Sequence, residues 1–157
     1  LKGTLRQDPN VIVVGELDDF ETIRTAMIAA EAGHFVIASF HAPNTVQAID
    51  RLTSMFPLEH RKHILFQLSR CLRGVICQLL IPTRNMGDRV LATEVIIMTD
   101  ALKNVIRNDE LFHIPTIIQT GGALKMQSMQ QSIRRYLDQG IIDAQTAIEY
   151  SEDFNRY

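Results

Sequence analysis

Four apolar residues stand in a row at Val11-Ile12-Val13-Val14, and the run ends on Gly15-Glu16. β-Branched side chains are stiff at χ1 and suit a pleated surface. An unbroken apolar run, without polar alternation, predicts a short strand buried on both faces, as in a parallel sheet. Gly15 lets the backbone turn, and the next carboxylate stands where the carboxyl end of such a strand opens into a crevice. Asp18 and Glu21 have capping-box spacing, with Asp19 between them, which predicts a helix start carrying acid at its positive dipole end. From these residues alone Glu16 has two readings: a site acid at a sheet rim, or a solvated loop acid.

The pattern continues down the chain. Residues 20–32 carry apolar side chains at 20, 23, 27, 28 and 30 and close on Gly33, predicting an amphipathic helix with a left-handed cap. Phe35-Val36-Ile37-Ala38-Ser39 predicts a second buried strand, which delivers His41. Val46, Ile49, Leu52 and Met55 form one stripe of a helix over 45–55, ended by Pro57. Ile64, Leu65, Leu68, Leu72 and Val75 predict a further helix over 58–76 with a basic outer face. Residues 78–81 and 89–98 turn to strand pattern around Asn85-Met86-Gly87-Asp88, a hairpin turn, so one mixed sheet is expected. Short helices follow at 100–107, 115–119, 126–138 and 143–150. Strands separated by helices argue for βαβ units. The expected organisation is an α/β domain over 1–98 and a helical subdomain over 99–157. Residues 1–7 read as the end of a helix broken at Asp8-Pro9, as though the chain begins in mid-domain.

Composition adds exclusions. A chain of 157 residues, 46% hydrophobic and 22% charged, has the makings of a soluble domain with its own core. A net charge of −2 and a pI near 6.2 leave no electrostatic footprint for nucleic acid. No apolar run approaches the ~20 residues that span a bilayer, and the amino end lacks a signal-peptide pattern, so a cytoplasmic protein is expected. Cys71 and Cys77 fall on different faces of the predicted helix, and no Cys or His pairs stand at metal-ligand spacing, so no metal is expected on the chain's own side chains.

His34 and His41 bracket the second strand, and extended chain holds them roughly 23 Å apart, so they cannot touch the same small group. If the two strands run parallel, His41 shares the carboxyl edge with Glu16 and His34 lies at the opposite edge. His41 is then either a partner of Glu16 or a structural hydrogen-bonder at a strand end, and His34 is structural. His60 and His63 are expected to be solvated, and His113 to sit in a turn. No G-x-x-x-x-G-K-[ST] segment occurs, so the chain holds no Gly-rich cradle of that type for a triphosphate.

Several segments now stand in one order: Leu5-Arg6-Gln7-Asp8-Pro9-Asn10 running into Val11 to Glu16, then Ala29-Ala30-Glu31-Ala32-Gly33-His34-Phe35, then Ser39-Phe40-His41-Ala42. Ala48-Ile49-Asp50-Arg51-Leu52 with Phe56-Pro57, Ala101-Leu102-Lys103-Asn104-Val105-Ile106-Arg107-Asn108, Ile118-Gln119-Thr120-Gly121 and Met126-Gln127-Ser128-Met129 follow. Together they closely resemble the carboxyl half of the PilT-type twitching-motility ATPases, motors of type IV pilus retraction within the type II and type IV secretion ATPase superfamily. The first group looks like that family's Walker B segment, the next two, residues 29–35 and 39–42, look like its His box, and residues 101–108 resemble its A-I-R-N-L-I-R-E signature.

The resemblance implies an α/β, RecA-like P-loop ATPase core, partial and lacking the P-loop half, with a helical carboxyl-terminal subdomain. It implies that Glu16 is the general base or water-positioning acid for hydrolysis of the γ-phosphate and that His41 contacts that phosphate. Gly15, His34 and Asp19 would support the nucleotide site. Ala101, Leu102, Lys103, Asn104, Val105, Ile106, Arg107 and Asn108 would form a motif coupling nucleotide state to retraction. The ligands implied are ATP and Mg2+, the metal held through the nucleotide. The partners implied are other copies in a hexamer, an inner-membrane platform protein at the pilus base and a paralogous motor ATPase, with the protein peripheral on the cytoplasmic side. Without a P-loop the chain by itself is expected to hydrolyse no ATP. Asp18 replaces an Arg usual in the family, Lys103 an Arg and Asn108 a Glu. These departures motivate a second reading, a non-catalytic paralogue that modulates a retraction motor. A third reading, a pilus-extension or type II secretion ATPase, lacks the paired C-x-x-C motif usual there.

Overall fold

The computed structural model describes residues 9–85 and 87–155. The helix end expected over 1–7, and Met86 of the expected hairpin turn, lie outside them. The elements in order are β1 (Val11–Val14), α1 (Phe20–Glu31), β2 (Phe35–Ala38), α2 (Thr45–Ser54), α3 (Arg61–Cys71), β3 (Gly74–Pro82), β4 (Arg89–Ile97), α4 (Asp100–Arg107), α5 (Ile114–Thr120), α6 (Met129–Asp138) and α7 (Ala144–Asn155). They gather into two units. One takes the chain up to His41 with Ala48–Leu72 and Asp100–Leu111; the other takes Ala42–Gln47, Arg73–Thr99 and the chain from Phe112 onward. In this grouping α4 belongs with the first unit and β3 and β4 with the second.

In the first unit β1 and β2 pair in parallel, in register from Val11↔Phe35 to Val14↔Ala38. Ala26 and Ala29 of α1 bring that helix close onto Ile12 and Val14, with Leu17 and Val36 at the margin. The opposite sheet face presents Val11, Val13, Phe35 and Ile37 outward, Val13 at 72% exposure. The strands expected to be buried on both faces are therefore buried on one, because the described residues lay a helix over one side only. The N-cap of α1 is Asp19, not Asp18: its carboxylate accepts from Thr22 N at 2.8 Å and from Thr22 Oγ1 at 2.5 Å. Those hydrogen bonds hold the Asp19 carboxyl below its usual range. Gly33, at φ +106°, closes the helix in the left-handed conformation that a side chain would strain. Helix α4 packs along α3 with Leu102 and Ile106 fully buried.

In the second unit β3 and β4 form an antiparallel hairpin from Gly74↔Ile97 to Pro82↔Arg89. Among the described residues the strands form one parallel pair and one antiparallel pair, where one mixed sheet was expected. The helix predicted as far as 76 stops at Cys71, Leu72 turns to extended backbone, and strand begins at Gly74. A Cβ at Gly74 would lie 2.7 Å from the Ile96 carbonyl oxygen, so the close approach of the two strands requires glycine there. Ile81 and Ala92 pack with Met129 and Ile133 of α6 and with Ile142 and Ala147. Helix α6 starts at Met129, three residues later than the periodicity suggested, because Ser128 and Gln131 form a reciprocal capping box. The outer edge of β4 is covered: Val95 and Gln127 exchange backbone hydrogen bonds of 2.8 and 3.1 Å, Thr93 N donates to Ser132 Oγ, and Tyr136 Oη donates to Leu91 O. A strand edge so occupied offers no template for further pairing.

Glu94 on β4 is buried, and its Oε1 accepts from Thr45 N at 2.9 Å and Thr45 Oγ1 at 2.7 Å. It thereby satisfies a buried donor at the start of α2, beside Asn44, which accepts from Gln47 N. Burial pushes the neighbouring Cys77 thiol up to about 11, so it stays protonated and unreactive near neutrality. Glu94→Ala should lower the unfolding free energy by about 1–3 kcal/mol, since both Thr45 donors lose their acceptor. Glu94→Gln, which keeps an acceptor oxygen, should lose less. Denaturant unfolding of the variants measures both.

Candidate functional site

Because the parallel register ends at Val14↔Ala38, both chains leave the sheet at the same rim. Three hydrogen bonds latch the two exits together: Leu17 N to Ser39 O at 2.9 Å, Ser39 N to Val14 O at 3.4 Å, and a short one from Ser39 Oγ to Gly15 O. Just beyond them His41 Nε2 lies 3.1 Å from Glu16 Oε1. Both side chains face solvent, His41 at 90% and Glu16 at 48% exposure. Arg51 Nη1 on α2 donates to the His41 carbonyl at 3.4 Å, so the His41 backbone is tethered while its ring projects. An exposed carboxylate touching an exposed imidazole can orient a water and exchange its proton, and it can face an anion through the ring.

His34 lies elsewhere. It is half-buried at the amino edge, where its Nδ1 donates to Pro9 O at 2.6 Å and the adjacent Phe35 N donates to Asn10 O. It ties the starts of the two strands together and does not share the rim with Glu16. Asp19 is committed to capping α1. Gly15 has φ outside the left-handed region, and a Cβ there would meet nothing within 4 Å, so the turn after β1 does not itself demand glycine.

The eight residues 101–108 divide by burial. Leu102 and Ile106 are core positions, whereas Ala101, Asn104, Arg107 and Asn108 are exposed. On the polar face Lys103 pairs with Asp100 at 3.1 Å and Arg107 donates to Asn104. The helix ends in a Schellman motif, with Glu110 N on Val105 O and Asp109 N on Ile106 O, and Asp109 takes the left-handed position at φ 60°. Arg61 holds that residue bidentately, Nε and Nη2 to its two carboxylate oxygens at 2.7 and 2.8 Å, and also reaches Asp50 at 2.9 Å and Thr53 Oγ1 at 3.0 Å. Three helices of the first unit meet on this guanidinium. The pairing holds the Asp109 carboxyl below its usual range, and the two carboxylates raise the Arg61 guanidinium further. Sequence reasoning gave no separate role to Arg51, Arg61 or Ser39, although Arg51 and Ser39 stand in segments that carry the family resemblance. The signals for Ser39 were its place just past β2 and its segment with His41, and periodicity carries none for the partner of a charged side chain.

A family model described as "Type II/IV secretion system protein" matches residues 1–94. The chain belongs to that family. Among relatives of this secretion family, the type IV pilus retraction ATPase PilT of Pseudomonas aeruginosa is 40% identical over 95% of the chain, which covers 43% of the relative. The type IV pilus ATPase PilU of the same organism is 32% identical over 99% of the chain and 41% of the relative. A crystal structure of the pilus retraction motor PilT with bound ADP superimposes with a TM-score of 0.86 at 37% identity, covering 95% of this chain and 41% of that one. The ATPase DotB of Legionella pneumophila gives 0.83 at 26% identity, over 97% and 41%. The fold is therefore that of part of a secretion-family ATPase core, and the chain spans about two fifths of the length of these proteins.

In this family member the Arg61–Asp109 pair is the contact to test around the 101–108 helix. Arg61→Ala and Asp109→Asn should each destabilise, with a coupling of about 1 kcal/mol in the double-mutant cycle, since both groups are partly solvated. The Asp109 carboxyl is lowered in the folded state, so the pair's contribution is complete above the ordinary value of 3.8 and is lost as pH falls through the lowered one. The stability difference between wild type and Arg61→Ala should narrow at acid pH, leaving the part that Thr53 Oγ1 and packing contribute.

Proposed function

We propose that this chain is the hydrolytic and coupling half of a hexameric motor ATPase that drives type IV pilus retraction. The observation that carries the reading is the contact between Glu16 and His41 at the carboxyl rim of a parallel strand pair. The likeness to the PilT retraction ATPase and to the ADP-bound retraction motor supplies the chemistry. The outward apolar face of Val11, Val13, Phe35 and Ile37 supports a partial core, since the rest of the ATPase core would give these side chains the cover they lack here.

In this account ATP is the substrate, and Mg2+ enters with the nucleotide and neutralises phosphate charge. The Glu16 carboxylate orients the attacking water and accepts its proton. The exposed His41 ring donates to the terminal phosphate and exchanges that contact for Glu16 when the phosphate leaves. Arg51 and the Ser39 latch limit how far the His41 loop can follow. The exposed residues of the 101–108 helix, anchored through Arg61, pass the change to a neighbouring copy or to an inner-membrane platform protein on the cytoplasmic side. Gly15 and Asp19 shape the loop that carries Glu16.

In the protein that joins this chain to a phosphate-binding half, Glu16→Gln should cut ATP turnover by at least about 100-fold with nucleotide binding kept, the scale expected for loss of a general base. His41→Ala should slow turnover without lowering the unfolding midpoint. Loss of nucleotide binding in the first variant, or unfolding in the second, would make the pair structural. Purified alone, the 157-residue chain should release no phosphate from ATP above background, as a colorimetric phosphate assay would show.

A further inference from the structure

Among the described residues the Glu16 carboxylate meets one other side chain, the His41 ring. On the reading given above, His41 leaves that contact for the terminal phosphate during turnover. From then on the direction of the Glu16 side chain is set by its own backbone. What holds that backbone decides where the carboxylate points.

The residue before the acid is the loosest part of the loop. Gly15 has no Cβ, and one built there would meet nothing within 4 Å, so packing does not restrain its dihedrals. Rotation about either of its backbone bonds re-aims the whole of Glu16. Beyond the acid the loop is fixed: Leu17 packs at the margin of the core under α1, and Asp19 caps that helix.

Ser39 brackets the acid from the neighbouring strand exit. Its carbonyl accepts from Leu17 N at 2.9 Å on one side of Glu16, and its hydroxyl donates to the Gly15 carbonyl on the other. The peptide that joins Gly15 to Glu16 therefore carries the hydroxyl's hydrogen bond, and among the described residues the Gly15 oxygen has no other donor. A further bond, Ser39 N to Val14 O at 3.4 Å, keeps the donor residue alongside β1. The two backbone bonds survive removal of the hydroxyl, whereas the bond to Gly15 does not. Ser39 is exposed, so water is a ready alternative partner and the hydroxyl adds little to stability. Its effect is on the course of the loop.

We propose that the Ser39 hydroxyl is a positioning group, which fixes the Gly15–Glu16 peptide and so keeps the Glu16 carboxylate aimed at the attacking water once His41 has moved away. The inference rests on the catalytic reading of Glu16. It adds a side chain that acts only through that acid, without touching nucleotide or water.

Ser39→Ala, and Ser39→Thr, which keeps the hydroxyl, test it in two settings. In the motor proposed above, Ser39→Ala should lower kcat for ATP about tenfold or more, the scale of a small misplacement of a reacting group, with KM within about twofold of wild type. Ser39→Thr should stay within about threefold of the wild-type kcat. In the Glu16→Gln background Ser39→Ala should cause no further loss, because the group it aims is gone. In the chain by itself, backbone amide NMR relaxation should show Gly15 and Glu16 more mobile in Ser39→Ala than in wild type, and unchanged in Ser39→Thr. An equal fractional loss in the Glu16→Gln background, or a KM raised with kcat kept, would overturn the proposal by giving the hydroxyl a role of its own, in the fold or on the nucleotide. So would wild-type turnover and wild-type relaxation in Ser39→Ala while Glu16→Gln is inactive. Wild-type turnover in Glu16→Gln itself would remove the catalytic reading and this inference with it, so the two failures are told apart.

Discussion

Parallel pairing of β1 with β2 is the constraint from which the rest of the candidate site follows. Parallel strands send their carboxyl ends out at the same edge, so two residues twenty-five positions apart in sequence, Glu16 and His41, emerge side by side. An antiparallel pairing of the same segments would have delivered His34 to Glu16 and His41 to the far edge. The small residues Ala26 and Ala29 let α1 lie close on Ile12 and Val14, and the Ser39 and Leu17 hydrogen bonds fix the loops at the rim. Both side chains can then stay exposed while their backbones are held.

A second constraint is electrostatic and equally local. Arg61 gathers Asp109, Asp50 and Thr53, so the ends of helices that share no strand are joined through one guanidinium. Asp109 occupies a backbone position that suits glycine, and the bidentate pairing offsets that cost. The helix over 101–108 is thereby fixed at its carboxyl end and by Leu102 and Ile106 on its inner face, while Ala101, Asn104, Arg107 and Asn108 stay exposed.

Much of this was legible in the residues. The bounds of β1 and α4, the parallel order of the first two strands and the placing of His41 and His34 on opposite edges follow from apolar run length, Gly33 and crossover geometry. Other features follow from tertiary context that periodicity does not carry. Val11 and Val13 are apolar enough to be covered on both faces, but pattern cannot say whether cover is present in a given piece of chain. Asp18 and Asp19 are equally good caps by type, and the extended backbone at 19 decides between them. The helical stripe through Leu72 and Val75 ran on past the helix end because β3 buries residues too, and the need for Gly74 appears only once β4 lies against it. The roles of Arg51 and Arg61 depend on partners eight or more residues away that no spacing rule marks.

The central claim is that Glu16 and His41 act on one phosphate. A crystal structure of the chain within the motor proposed above, grown with Mg2+ and a non-hydrolysable ATP analogue, tests it most directly. The account predicts the terminal phosphate within hydrogen-bond reach of His41, and a water between that phosphate and Glu16. A terminal phosphate bound out of reach of both side chains, with the two still paired to each other, would contradict it.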